Sequence, residues 1–415
     1  MFRPVTAIAL AGAMAPGAFG GQPAADPAHT FDIASTGRVG QRFPSEHLTI
    51  IDAETSVAVL ALTTSRHVNA TFYQTHPQWT PDGRYIVFRS NRAAKEGRGW
   101  HAYAVSMDTR EIVQVTAGDD GDRLHLGWKE NVAYHFRDGA LVRLELGALL
   151  ADSERGAVKD AAAYERVVAT LPEDVRPSGD FGLDANEHRM FLASRTDDGR
   201  SAIYAIDLQS GSLTELQKVP FRANHLQANR WVSGEVMYCW ETGGDAPQRT
   251  WLLSVDREGR VTNRPAYEER PDEWVTHEVF IGPDHIMFNV MAHLDRLRAG
   301  GPTGIFSMNI RTGEVRRHGQ LEGGGYWHSH ATSDLKWAVG DSFDGRLYRL
   351  DLESGERTLL ATGHRPDSRG PFGPDAHSHH SISPDGRWVL FNSSLLTRGD
   401  IMLVPLHPEG LTATP

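Results

Sequence analysis

The chain has one cysteine, Cys239, among 415 residues. A lone cysteine cannot close a disulfide within the chain or build a thiolate metal cage. Long apolar runs are also missing: none approaches the ~18 residues a membrane-crossing helix needs. Basic residues are outnumbered, with 42 Lys and Arg against 53 Asp and Glu and a net charge of −11. That balance argues against a general nucleic-acid binder, which carries a basic field. A polyanionic ligand would therefore need a local cluster of Arg, His or metal. Helical periodicity is almost absent. The stretch "LLADSERGAVKDAAAYERV", residues 149–167, is the best helical candidate.

The N-terminus carries an export signal pattern. Arg3 is followed by an apolar, small-residue stretch from Val5 to Ala15, and Ala18-Phe19-Gly20 offers a small-x-small cleavage site. This fits a signal peptide over residues 1–20, with a mature chain of residues 21–415 that is periplasmic or secreted.

What fills the rest is a repeat. "WTPDGRYIVFRSNR", "DANEHRMFLASRTDDGR", "GPDHIMFNVM", "SDLKWAVGDSFDGR" and "SPDGRWVLFNSS" each precede a second strand that ends near an Asp or Asn and a Gly turn. Asp-Gly and Asn-Gly pairs supply the positive-φ residues of tight turns. Val, Ile, Tyr, Phe and Trp alternate with polar residues, the period of half-buried strands. About seven copies recur at roughly 40–55 residues, the spacing of propeller blades. The expected fold is all-β, a single seven-bladed β-propeller; a β-sandwich does not explain the repeat. "LTIIDAETSVAVLALTT", residues 48–64, resembles only the outer half of a blade. As an N-terminal strand completing the last blade, it would close the ring and remove an open edge. The helical stretch reads as an insertion between blades.

Histidine recurs at one place in these repeats, just before the presumed innermost strand. His76, His225, His277, the pair His328 and His330, and the pair His377 and His379 all occupy it. An H-x-H on a strand projects both imidazoles from one face. Two from one strand and one from the next blade make a tris-imidazole site suited to Mn, Fe, Ni or Zn. His380 then points the other way, into blade packing. Trp79, Trp231, Trp251 and Trp337 read as packing residues.

"THEVFIGPD", "HSHATSDLKWAVGD", "HSHHSISPDGRWVLF" and "MYCWETGGDAPQRTWLLSVD" resemble, in order and spacing, segments of the oligogalacturonate lyases, a family of β-propeller polysaccharide lyases. The resemblance covers residues 222–406 well and the N-terminal blades only generically. It implies a divalent metal, most readily Mn²⁺ with Zn²⁺ as an alternative, on His328, His377 and His379. The family's further ligand, a Gln three residues before the H-x-H, is replaced here by Pro374, and Asp375 is close enough to substitute. His330 has no family counterpart. The resemblance also assigns His277 as Brønsted base and Arg249 as the catalytic-site arginine.

Those assignments fit β-elimination of a uronate. The C5 proton is too weakly acidic unless the adjacent carboxylate is neutralised, which a metal and an arginine can do. A neutral imidazole such as His277 can take the proton, and Arg249 suits a carboxylate clamp. His225 is a candidate proton donor to the leaving oxygen; Tyr73, His76 and His330 are substrate-binding candidates. The expected partner is an acidic oligo- or polysaccharide, galacturonate-based or, as a runner-up, ulvan, which related seven-bladed lyases cleave. A non-catalytic Tol-like propeller that binds a protein partner is the competing class. It predicts no metal dependence and no need for His277.

Overall fold

In the computed structural model, residues 38–92, 100–117, 123–243, 246–291, 301–322, 325–364 and 378–410 can be described. The signal-peptide segment and the proposed ligands Asp375 and His377 lie outside them. The described strands form seven antiparallel sheets. In sheets two to six the first strand in sequence is innermost and the next three follow outward. The inner strands are Pro177–Leu183, Ala223–Ala228, Val275–Phe280 and Tyr326–Ala331 in blades three to six, with the shorter pairs His125–Leu126 and Ser381–Ile382 in blades two and seven.

The core lies between the blades. Seven hydrophobic clusters form, each shared by two neighbouring sheets. One joins Phe88 and Tyr103 of blade one to Leu390 and Leu403 of blade seven; another joins Phe191 of blade three to Tyr238 of blade four. Both faces of each sheet are therefore covered, which is why strands such as Asp400–Pro405 are buried throughout. The turns are set locally. Thr80 Oγ1 donates to Asp82 and Ser383 Oγ to Asp385, both at 2.6 Å, with Gly83 and Gly386 following at φ 70°. A Thr/Ser-Pro-Asp-Gly tetrad thus caps its own turn.

The ring closes as expected, but with two strands. The hairpin of Leu48–Ile51 and Ala58–Ala61 supplies both outer strands of blade seven, Leu60 and Ala61 pairing with Leu403 and Met402. A further piece, Arg42–Phe43, adds a fifth strand to blade one. The helix is real but misplaced by the sequence reading. Leu146–Glu154 sits inside blade two, between its third strand, Ala140–Leu144, and its outer strand, Glu165–Thr170. The residues read as the helix's end pair instead with a neighbour, Glu165 opposite Leu144, while Leu146, Leu149 and Leu150 bury against the core between blades one and two. Among the described residues no helix is long and apolar enough to cross a membrane.

Candidate functional site

The histidines do not precede the inner strands of blades four, five and six; they lie within them, at β-bulges. In blade five, Thr276 pairs with Asn289 and the next pair is Val279 with Met287, so His277 and Glu278 share one partner. The same break places His225 and Leu226 in blade four, and Trp327 and His328 in blade six. A bulge re-aims its side chains and often sits beside active sites. Blade three breaks at the same level and has Gly179 there, at φ 78°. His225 and His277 adopt that left-handed backbone without being glycine, at φ 50° and 57°, and His379 of blade seven does so at 41°. Such geometry costs of order 1–3 kcal/mol per residue and persists where the surroundings enforce it.

Blade one departs most from the pattern. Its inner strand is only Asn69–Ala70, and the chain then leaves the sheet until Trp79 bridges back to Ile86. This excursion crosses the lumen. The Tyr73 ring lies 4.9 Å from both His225 and His379. The Gln74 amide donates to the carbonyls of His277 and Ser329, at 3.3 and 3.2 Å. One loop thus touches blades four, five, six and seven.

Around Tyr73 the predicted residues gather. The His277 ring is 4.1 Å from His328, and His328 is 5.1 Å from His379. His277 Nδ1 donates to the Trp327 carbonyl, which leaves Nε2 as the basic nitrogen of the ring. His328 is wholly buried and its Nδ1 sits 3.1 Å from Asp341, which also accepts from Ser378 Oγ at 2.6 Å. A carboxylate behind an imidazole fixes the ring so that its other nitrogen can ligate a metal. His328 and His379 are the two expected ligands among the described residues, and their rings meet edge-on at 79°. His380 turns away from them into blade packing, its Nε2 2.9 Å from the Val339 carbonyl.

Arg249 belongs to the same site but is not an open clamp. It is buried, with Nε 2.9 Å from Glu278 and a terminal nitrogen 3.6 Å from Glu241. Burial opposes its charge, but Glu278 and Glu241 together hold it firmly protonated. Glu241 in turn receives His225 Nε2 at 3.2 Å. Burial works against the Glu241 carboxylate, yet the His225 hydrogen bond and Arg249 bring it down to about 2. Among the described residues, His225, Cys239 and Glu241 bring ligand-type atoms within 4.8 Å of one another. Without a metal, burial pushes the Cys239 thiol well up, and Glu241 links His225 to Arg249 in one chain of charged contacts. Burial and the nearby Glu278 also raise the Tyr73 phenol, so it stands as a neutral O–H donor.

Two predicted substrate-binding residues sit elsewhere. His76 packs edge-on against His125, 5.4 Å between rings, and lines a cavity at the other end of the inner strands. His330, two residues past His328, opens into that same cavity. Burial, aided by His380 and Arg230, holds His330 neutral with a pKa of about 3. Sequence reasoning missed Glu241, Glu278, Asp341 and Gln74. Glu278 is the second letter of the His-Glu element and was within reach. Asp341 is on a second strand, where only pairing brings it to His328.

No family model matches the sequence, and no curated protein matches it. Solved structures do. An oligogalacturonate lyase in complex with manganese superposes with a TM-score of 0.74 at 20% identity, over 89% of this chain and 98% of that one. The oligogalacturonate lyase of Vibrio parahaemolyticus gives 0.74 at 18% identity, over 88% and 98%. A puromycin hydrolase gives 0.51 at 16%, over 85% of this chain and 53% of that one. The chain thus has the seven-bladed propeller fold of the oligogalacturonate lyases, over nearly their whole length.

Proposed function

We propose that the protein is a lyase that cleaves uronate-containing glycans by β-elimination, galacturonate oligomers first among them and ulvan second. The observation that carries this is the unbroken series of ring contacts from His277 to His328 to His379, across three adjacent blades, and on to Tyr73, with Arg249 near Tyr73. His277 takes the C5 proton through Nε2, because its Nδ1 is committed to the Trp327 carbonyl. The neutral Tyr73 hydroxyl is suited to protonate the leaving 4-oxygen, with His225, whose Nε2 faces Glu241, packed beside its ring. Arg249 supplies a fixed positive charge rather than a movable clamp, since Glu278 and Glu241 hold it. His328 and His379, with His377 and Asp375, would hold a divalent cation, Mn²⁺ before Zn²⁺. When bound, that cation neutralises the uronate carboxylate as a Lewis acid. Export to the periplasm or beyond, directed by residues 1–20, places the protein where such glycans are met.

The test is direct. The purified protein is incubated with oligogalacturonate, ulvan and other uronate glycans while the ultraviolet absorbance of the unsaturated product is followed, with and without chelator. The expected result is product on one of these, lost on chelation and restored by Mn²⁺. His277→Ala is expected to lower kcat by at least about 100-fold. Absence of product on every uronate glycan overturns the reading.

A further inference from the structure

The other end of the channel holds a second built cavity, of ≈ 680 Å³. It is framed by the ends of the inner strands and the turns that follow them, such as Ala331–Asp334. The histidine site lies toward the opposite ends of those strands. The excursion of blade one separates the two: Tyr73 faces one chamber and Gln74 and His76 line the other.

Its chemistry is specific. The Arg230 guanidinium stands 5.3 Å from the Trp128 ring and 4.9 Å from the Trp231 ring. No carboxylate pairs with it among the described residues, whereas the neighbouring acids are engaged, Asp334 with Lys336 and Thr332, Asp385 with Ser383. Two buried polar atoms on the wall make no hydrogen bond: Gln74 Oε1, on a side chain 2% exposed, and Ser381 Oγ, on one 4% exposed. His330 Nδ1 is in the same condition. Leaving such groups unsatisfied is costly, and all three belong to residues that line this cavity. The Arg230 guanidinium, held over two indole rings and without a carboxylate partner among the described residues, is suited to accept a carboxylate from a ligand.

We infer that this chamber is a second binding site, separate from the histidine site, for a short acidic saccharide. Arg230 holds the carboxylate beside Trp128 and Trp231, and Gln74 and Ser381 belong to the polar wall that the rest of the saccharide meets. The choice of a uronate as ligand rests on the proposed function; the cavity and its unpaired groups do not. Gln74 also grips the carbonyl of His277, so a sugar hydroxyl that engages its Oε1 touches the base's support.

Digalacturonate is titrated calorimetrically into full-length His277→Ala protein, and tryptophan fluorescence is followed in parallel. Arg230→Gln is then added to that background, with Arg230→Lys as a charge-preserving control and circular dichroism to verify the fold. The expected result is one binding event, with its fluorescence change, that weakens at least tenfold in Arg230→Gln and less in Arg230→Lys. The second chamber is overturned if Arg230→Gln leaves every binding event unchanged, or if neutral digalactose produces the same fluorescence change as digalacturonate. If the histidine site also binds, the stoichiometry falls from two to one; if the lyase reading fails and that site is silent, it falls from one to none. The two readings therefore fail separately.

Discussion

At the residue scale the site is governed by buried charge. Arg249 and Glu278 are each 4% exposed and bonded at 2.9 Å. Removing one partner strands the other, so Glu278→Ala is expected to cost about 3–5 kcal/mol in urea unfolding, well above a surface substitution. Glu269, behind Arg249, behaves in the opposite sense. Burial first, and then Glu278, raise its carboxyl from 4.5 to about 8, against the hydrogen bonds it accepts from the Arg249 and Thr250 amides. A folded pKa above the unfolded one gives stability that is whole below about 4.5 and drains away as pH rises through 8. Glu269→Gln does not titrate, so its stability relative to the native protein should improve between pH 5 and 8, by up to about 1.4 kcal/mol per pH unit. Paired thermal melts at the two pH values read this out. His277 adds a backbone constraint: Asn tolerates its left-handed φ and Val does not. His277→Asn should fold normally yet lack elimination activity, whereas His277→Val should also lose about 1–3 kcal/mol of stability.

At the element scale, the bulged inner strand is the device that builds the site. It turns His277 and His328 toward each other from neighbouring blades, and Asp341, opposite the bulge in blade six, fixes His328. Asp341→Asn is expected to weaken Mn²⁺ binding about 10–100-fold, measured by titration calorimetry, while leaving the fold intact. The strands and turns were legible in the sequence because their causes are local: period-two alternation and self-capping Asp-Gly turns. The histidine line was legible because it recurs. The bulges were not, since a register break depends on the partner strand, and they moved the predicted histidines from before the strands into them. Nor was the excursion of blade one, where Tyr73 joined the expected site and His76 did not. Carboxylates such as Glu241 and Asp341 come from second strands, and a reading of one strand at a time passes over them.

At the scale of the whole molecule, the excursion divides the lumen. Tyr73 and Gln74 reach blades four to seven, so on the proposed function a glycan would enter and leave the histidine site by the mouth on the Tyr73 side. Ring closure is the other global feature. A chain truncated to begin at Thr64 lacks both outer strands of blade seven and exposes the long edge of Asp400–Pro405. It is expected to aggregate, as size-exclusion chromatography would show, rather than persist as a slightly destabilised monomer. The same pairing sets a timetable for synthesis. The hairpin at residues 48–61 is made about 340 residues ahead of its partner strand, Asp400–Pro405. For on the order of tens of seconds, at ordinary translation rates, a strand pair with a bare edge must wait for the rest of the ring.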